Sequence, residues 1–242
     1  MVITSVNNEK VKYWASLKLK KNRDKDKCFL IEGNHLIKEA KEKGLVISTI
    51  SITDTNADFF VTREIMEKIS EQKSISDNAA LVKYIPAREI NGNVLILDDI
   101  QDPGNLGTLI RSSIAFNFAS IIISEESVDL YNSKVIRATE GMIFNINVIR
   151  TNLKKYIPRL KNMGYKIIAS DVISGKDIKE IDNQNIALIL GNEGSGIHKE
   201  LKDMADEYVN IKMNNVCESL NVGVAGSILM YEVYNGRVNN SR

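Results

Sequence analysis

The second half of the chain alternates short apolar runs with segments long enough to form helices. From Val94 onward these runs contain consecutive Val, Ile and Leu residues rather than alternating apolar and polar ones. Uninterrupted runs are typical of strands covered on both faces, as in a parallel sheet whose strands are joined by crossover helices. We therefore predict an α/β domain built on a parallel sheet. Its strands are VLILDD, ASIIIS, FNINVI, YKIIAS, IALILG and YVNIK, and its helices cover residues 105–117, 133–139, 152–163, 196–204 and 220–235.

The residues before this region predict a smaller α/β unit that ends near residue 90. Its apolar positions are grouped into short helical and strand patterns separated by charged or glycine-containing turns. We therefore divide the chain into domains 1–90 and 91–242. In chain order, the first domain should contain an amphipathic helix over 7–19, the charged loop KKNRDKDK, a strand at 28–32, a helix over 33–43, strands at 46–52 and 59–61, and a helix capped by Thr62.

Composition excludes several classes of protein. The two cysteines, Cys28 and Cys217, form no C-x-x-C pair, so we expect two buried thiols and no disulfide or zinc site. His35 and His198 are too few for an all-histidine zinc site and have no ligand spacing to a cysteine, so no metal is expected. No apolar stretch reaches the roughly 20 residues that span a bilayer, and the N-terminus lacks a signal-peptide core. We expect a cytoplasmic protein.

Three short loop segments carry polar residues and glycines next to apolar runs. They are NLGTLIR at 105–111, GNEGSG at 191–196 and SLNVGVA at 219–225. Loops at the carboxyl ends of parallel strands converge on one crevice, so the three predict a single site. Neither G-x-G-x-x-G nor a P-loop motif occurs, which argues against a dinucleotide dehydrogenase or a P-loop NTPase. Each loop alone could be an ordinary tight turn.

Together, the order N-x-G-x-[ILV]-x-R, G-N-E-G-x-G and S-L-N-V-x-V-A resembles the SpoU/TrmH family of RNA 2′-O-ribose methyltransferases, which belongs to the SPOUT class. The resemblance implies S-adenosylmethionine as cofactor and a deep trefoil knot, here over about residues 187–234. It also implies a homodimer formed through the C-terminal helix, which agrees with the apolar residues all round segment 220–235. ITSVNN and KLKKNRDKDKCFLIEGNHLIKEA resemble the substrate-binding domain of rRNA members, which is similar in fold to ribosomal protein L30e.

The resemblance also implies roles for individual residues. Arg111 is catalytic in the family, whose proposals make this arginine the base that takes up the hydroxyl proton. Because a guanidinium is effectively always protonated, we favour the alternative that Arg111 clamps the neighbouring phosphate and stabilises the developing alkoxide. For Ser219, capping of the following helix is an alternative role. Lys212 stands where many members have proline, so the loop before the third motif is expected to be less preorganised. The implied catalytic residues are Arg111, Asn105, Glu193, Ser219 and Asn221, and the implied cofactor-binding residues are Leu190, Gly191, Asn192, Gly196, Ile211, Met213 and Leu220.

A basic patch lies at the start of the chain, although the net charge of the whole is only +1. Residues 1–27 contain eight Lys or Arg against three Asp or Glu, a local excess of five positive charges. Such a patch can bind phosphates, although a solvated helix face followed by a loop would look the same. With the resemblance, we predict that Lys18, Lys20, Lys21 and Arg23 contact RNA.

The sequence therefore predicts S-adenosylmethionine-dependent 2′-O-methylation of structured RNA, with 23S rRNA favoured. Three alternatives stay open: a tRNA 2′-O-methyltransferase, a SPOUT enzyme that methylates a base, and a non-catalytic RNA-binding or ribosome-assembly factor with the same fold. The four residues Asn105, Arg111, Glu193 and Asn221 favour catalysis, because a chain freed from catalysis need not retain all of them. The sequence does not specify the target nucleotide.

Overall fold

The computed structural model describes residues 1–172, 174–181, 185–214 and 216–240, and these form two compact units. The first contains residues 1–86 and 129–144, and the second contains residues 87–128 and those from 145 onward. Within the described residues, no helix is long and apolar enough to cross a membrane.

Strands and helices alternate along most of the chain. The first part forms β1 (Val2–Ile3), α1 (Glu9–Ser16), α2 (Lys20–Asp26), β2 (Cys28–Glu32), α3 (Asn34–Glu42), β3 (Val46–Ser51), β4 (Phe59–Val61), α4 (Arg63–Ile69) and β5 (Asn78–Lys83). The rest forms β6 (Asn93–Leu97), α5 (Pro103–Ala115), β7 (Phe118–Ile123), α6 (Ser133–Ala138), β8 (Asn147–Arg150), α7 (Leu153–Asn162), β9 (Lys166–Ser170), β10 (Ile186–Leu190), α8 (Lys199–Lys202), β11 (Glu207–Val209) and α9 (Val222–Asn240).

The first unit is a mixed sheet with strand order β1-β4-β3-β5-β2, in which β5 pairs antiparallel with both β3 and β2. Trp14 of α1 is buried on one face and packs edge-on against Phe59, with ring centroids 5.1 Å apart. The predicted strands at 28–32, 46–52 and 59–61 are confirmed to within one residue. Strand β5 was not predicted, although its residues Ala79 to Val82 are all buried and the strand lies between β3 and β2.

The predicted charged loop KKNRDKDK is wrong, because residues 20–26 form helix α2. One side chain explains the difference. The guanidinium of Arg23 donates to the carbonyls of Leu17 and Lys18 at 2.7 and 2.8 Å and thereby closes the turn between α1 and α2. Arg23 is buried, so this short helix has an inward-facing residue that charge patterning alone does not reveal.

Segment 129–144 packs within the first unit, although the sequence pattern predicts its helix, α6, as a crossover of the second domain. Arg23 donates to the Asp129 carboxylate at 2.6 Å. The Tyr131 ring stacks on Tyr84 with centroids 3.8 Å apart, and its hydroxyl accepts the Ile85 N–H at 2.9 Å. Burial raises the pKa of Tyr131 to about 12. The start of the segment is therefore held by an ion pair, a ring stack and a hydrogen bond.

The second unit is a parallel sheet, as predicted, with strand order β11-β9-β10-β6-β7-β8. Two predicted strands are shorter than expected, because Phe144 belongs to a 3-10 turn before β8 and β11 ends at Val209. Helix α9 packs on α5, where the Ser112 and Ser227 hydroxyls are 2.7 Å apart. The close approach depends on glycine, since a Cβ at position 226 would lie 2.5 Å from side-chain carbons of β10 and α5.

Candidate active site

The carboxyl ends of β9, β10 and β11 open into one cavity of about 350 Å³. A volume of this size is within the range of small-molecule sites, which is roughly 300–1,000 Å³. All the residues predicted to bind the cofactor line it: Leu190, Gly191, Asn192, Gly196, Ile211, Met213 and Leu220. Their apolar side chains and loop backbone suit an adenosine-sized ligand with a neutral ring system.

The loop 191–196 is closed on itself by two backbone hydrogen bonds of 3.0 Å between Asn192 and Gly196. The Asn192 side chain accepts the N–H groups of Gly194 and Ser195 at 2.8 and 3.1 Å and donates to the Asp99 carbonyl at 2.8 Å. A Cβ on Gly191 would lie 2.2 Å from the backbone atoms Gly196 C and Ile197 N. The loop therefore requires glycine at position 191, and the Asn192 side chain shapes the loop.

One side-chain network connects the three motif segments. Asn105, in the first turn of α5, donates its amide N–H to Glu193 Oε1 at 2.8 Å and accepts the Asn221 amide N–H at 2.9 Å. Asn105 is buried, and its two partners lie 88 and 116 residues further along the chain. The sequence predicts that the three motif segments lie close together, and these two hydrogen bonds show that they do.

Asn221, and not Ser219, caps the helix that follows the third motif segment. Asn221 Oδ1 accepts the N–H groups of Gly223 and Val224 at 2.9 and 3.3 Å, so Asn221 caps α9. Ser219 lines the cavity, and its carbonyl accepts the Cys217 thiol at 3.3 Å. Cys217 is exposed, so the prediction of a buried thiol is wrong for Cys217 and confirmed for Cys28. A loop beside an open cavity cannot bury every side chain it carries.

Arg111 is set apart from the cavity. It lies six residues beyond Asn105 on α5, which corresponds to about 9 Å along the helix axis, and its side chain is exposed. It does not line the cavity, and no hydrogen bond joins its side chain to another part of the described chain. Its guanidinium is therefore open to a ligand outside the cavity, such as a phosphate.

Two features near the cavity were not predicted from the sequence. Ser170, Asp171 and Lys202 also line the cavity. Asp98, buried at the end of β6, accepts both the backbone N–H and the ring Nδ1 of His198, at 2.8 and 2.9 Å. The position of Asp171 immediately after a predicted parallel strand is a signal that could have identified it. Lys202 and His198 carry no such signal.

The predicted RNA-contacting residues are divided by the structure. Lys20 and Lys21 are exposed and Lys18 is partly so, which leaves their ammonium groups accessible. Arg23 is buried and bonded to two carbonyls and a carboxylate, so its prediction as a phosphate ligand is revised. Among the residues described, no cluster of three or more His, Cys, Asp or Glu is arranged to hold a metal ion.

Comparisons with known proteins agree with this geometry. Residues 92–231 match the model of the SpoU rRNA methylase family, and residues 8–80 match the MRM3-like substrate binding domain. The chain is 34% identical to the 23S rRNA (guanosine(2553)-2′-O)-methyltransferase RlmP of Bacillus subtilis, covering 96% of this chain and 98% of that protein. It is 30% identical to a putative TrmH family tRNA/rRNA methyltransferase of Staphylococcus saprophyticus, covering 86% and 96% respectively.

Among solved structures, the AdoMet-bound rRNA methyltransferase from Sinorhizobium meliloti superposes with a TM-score of 0.87 at 25% identity. The superposition covers 99% of this chain and 98% of that one, so both units take part in it. The match to the family model includes all three motif segments and more than half of the chain. The chain belongs to the SpoU rRNA methylase family.

Proposed function

We propose that this protein transfers a methyl group from S-adenosylmethionine to a ribose 2′-hydroxyl of RNA, with 23S rRNA as the favoured substrate. The observation that carries the proposal is the cavity at β9, β10 and β11, since the residues predicted to hold the cofactor all line it. The Bacillus relative is named as a 23S rRNA 2′-O-methyltransferase, and the Sinorhizobium structure is an AdoMet complex. A ribosomal substrate would put the enzyme in the cytoplasm.

In this reaction the bound cofactor supplies an electrophilic methyl group, and the protein has to position the acceptor and stabilise the charge that develops on it. The closed loop 191–196 and residues Ile211 and Met213 would enclose the cofactor. Arg111, exposed and free of hydrogen bonds to the described residues, would clamp the phosphate next to the target ribose and stabilise the alkoxide. Glu193 and Ser219, which line the cavity, would bind sugar hydroxyls.

The first unit would bind the RNA substrate and have a fold similar to ribosomal protein L30e. Along the sequence we keep the domain limits 1–90 and 91–242, with segment 129–144 of the second domain packing in the first unit. The match to a substrate binding domain over residues 8–80 supports this role. So do Lys20 and Lys21, which are exposed on α2. Lysines in such positions bind phosphate oxygens without reading sequence, so this unit would contribute affinity and orientation.

The knot and the homodimer are further parts of the proposal. Strand β11 lies at the edge of the sheet beyond β9, yet the chain after it returns to α9, which packs on α5. The segment after β9 holds β11 through hydrogen bonds from Asp171 N to Val209 O and from Lys176 N to Tyr208 O, at 2.8 and 3.0 Å. For the dimer, α9 exposes Val224, Tyr231 and Tyr234. Light scattering coupled to gel filtration should give twice the mass of the chain.

A methylation assay tests the function directly. Purified protein is incubated with methyl-labelled S-adenosylmethionine and either unmodified 23S rRNA or bulk tRNA, and the modified nucleotide is identified after nuclease digestion. A 2′-O-methylnucleotide from rRNA is expected, and it should be lost with Arg111→Ala. Labelled tRNA would replace the substrate assignment, and a methylated base would contradict the ribose chemistry. Binding of RNA without transfer would favour a non-catalytic factor.

A further inference from the structure

An ion pair lines the cofactor cavity without belonging to any of the three motif segments. The Lys202 ammonium lies 3.2 Å from the Asp171 carboxylate, and both residues contribute to the cavity wall. Among the described lining residues, Lys202 is the one cation, and Asp171 and Glu193 are the anions. Glu193 already accepts the Asn105 amide. The Asp171–Lys202 pair is thus a second polar feature of the cavity.

Both residues are held in place by the edge strand β11. The Asp171 N–H donates to the Val209 carbonyl at 2.8 Å, and the Lys202 carbonyl accepts the Tyr208 hydroxyl at 2.8 Å. The Asp171 side chain is only 14% exposed and that of Lys202 is 33% exposed. A pair this far removed from water is less screened than a surface pair, so opposite charges presented by a ligand would be recognised strongly.

We propose that Lys202 and Asp171 bind the amino-acid end of the cofactor, with Lys202 on its α-carboxylate and Asp171 on its α-ammonium. The inference rests on the proposed function and extends it. Adenine and ribose are neutral, whereas the amino-acid tail carries one charge of each sign, as the protein pair does. Binding the tail replaces one ion pair by two crosswise pairs, so neither protein charge loses a partner.

Two nucleosides isolate the tail. S-adenosylhomocysteine and 5′-methylthioadenosine share adenine, ribose and a neutral thioether sulfur, and the second lacks the amino-acid group. Calorimetry with the full-length protein near pH 7 should show that the wild type binds S-adenosylhomocysteine at least about 10-fold more tightly. In Lys202→Gln this preference should fall by about 10-fold or more, while the affinity for 5′-methylthioadenosine stays at the wild-type value.

Three further variants sharpen the test. Lys202→Arg should restore most of the preference, because it keeps the charge, and Asp171→Asn should lower it. Lys199→Gln is the matched control: it removes the same charge from the same helix, but Lys199 is 87% exposed, pairs with Asp203 and does not line the cavity. It should leave both affinities unchanged.

Equal losses for the two nucleosides in Lys202→Gln would overturn the inference, because the pair would then only maintain the shape of the cavity. An unchanged preference would overturn it as well, since the tail would bind elsewhere. If the wild type bound both nucleosides equally, the inference would fail while the proposed function survived. If the wild type bound neither, the proposed function would fail first.

Discussion

Replacing Arg23 should destabilise the first unit. It should not change the RNA affinity of the folded protein, which we attribute to the neighbouring lysines. The Arg23 side chain is 6% exposed, and its three hydrogen bonds reach Leu17, Lys18 and Asp129. Removing one partner of a buried ion pair costs about 3–5 kcal/mol, because the other charge stays buried without compensation. Arg23 Nε is itself buried with no partner among the described residues, which lowers the net gain from the native side chain. We therefore take the lower limit, about 3 kcal/mol.

For a unit of about 100 residues, this destabilisation corresponds to a decrease in melting temperature of about 12 °C or more. Thermal unfolding of Arg23→Ala, followed by circular dichroism, measures the decrease. Lys21→Ala on the same helix is the control and should leave the melting temperature within about 2 °C, since its side chain is exposed. The double variant Arg23→Met, Asp129→Leu should recover much of the loss, because an apolar pair leaves no buried charge.

The reasoning would be refuted if the Arg23→Ala variant had the wild-type melting temperature but bound RNA more weakly. That result would mean that the guanidinium contacts phosphate and that its bonds to Leu17, Lys18 and Asp129 contribute nothing to folding. Loss of stability with unchanged RNA affinity of the folded fraction, measured well below the melting temperature, would support the structural role.

Other variants test the catalytic unit and the RNA surface. Arg111→Ala should lower kcat by two or more orders of magnitude while calorimetry shows unchanged cofactor affinity, since Arg111 does not line the cavity; a parallel loss of affinity would contradict its assignment. Gly191→Ala should abolish cofactor binding, because its Cβ would lie 2.2 Å from backbone atoms that cannot move without opening the loop. The double variant Lys20→Ala, Lys21→Ala should flatten the salt dependence of RNA affinity by a log–log slope of about 1.4–1.8; an unchanged slope would remove α2 from the RNA surface.

The parallel sheet and the site at its edge could be predicted because their signals are local. A strand that is buried on both faces has to be apolar throughout. Strand Ile186–Leu190 is such a strand, and its sequence IALIL predicts it without further information. Parallel strands share one carboxyl edge, so polar loops after several of them must come together. The cavity residues follow from this geometry and from the family resemblance, which identifies the loops.

The helix at residues 133–138 was predicted, but helix α2 and the placement of segment 129–144 in the first unit could not be, because both depend on a long-range pair. Arg23 in α2 looks like one basic residue among many, and it becomes structural only because Asp129, 106 residues later, lies against it. Residues 133–138 have the pattern of a crossover helix, and no local pattern reports which sheet such a helix packs against. The Asp171–Lys202 pair could not be predicted for the same reason, because the two residues are 31 positions apart and each alone is an ordinary charged side chain.

The network around Asn105 divides the work among the residues predicted as catalytic. The buried Asn105 amide donates to Glu193 and accepts from Asn221, and Asn221 also caps α9, so both asparagines act within the protein. We propose that their role is to hold two motif loops and a helix end at fixed distances. The Arg111 guanidinium, by contrast, is exposed and donates no hydrogen bond to the described residues. We therefore propose that Arg111 contacts the RNA phosphate beside the target ribose, whereas Asn105 and Asn221 position the loops that line the cavity.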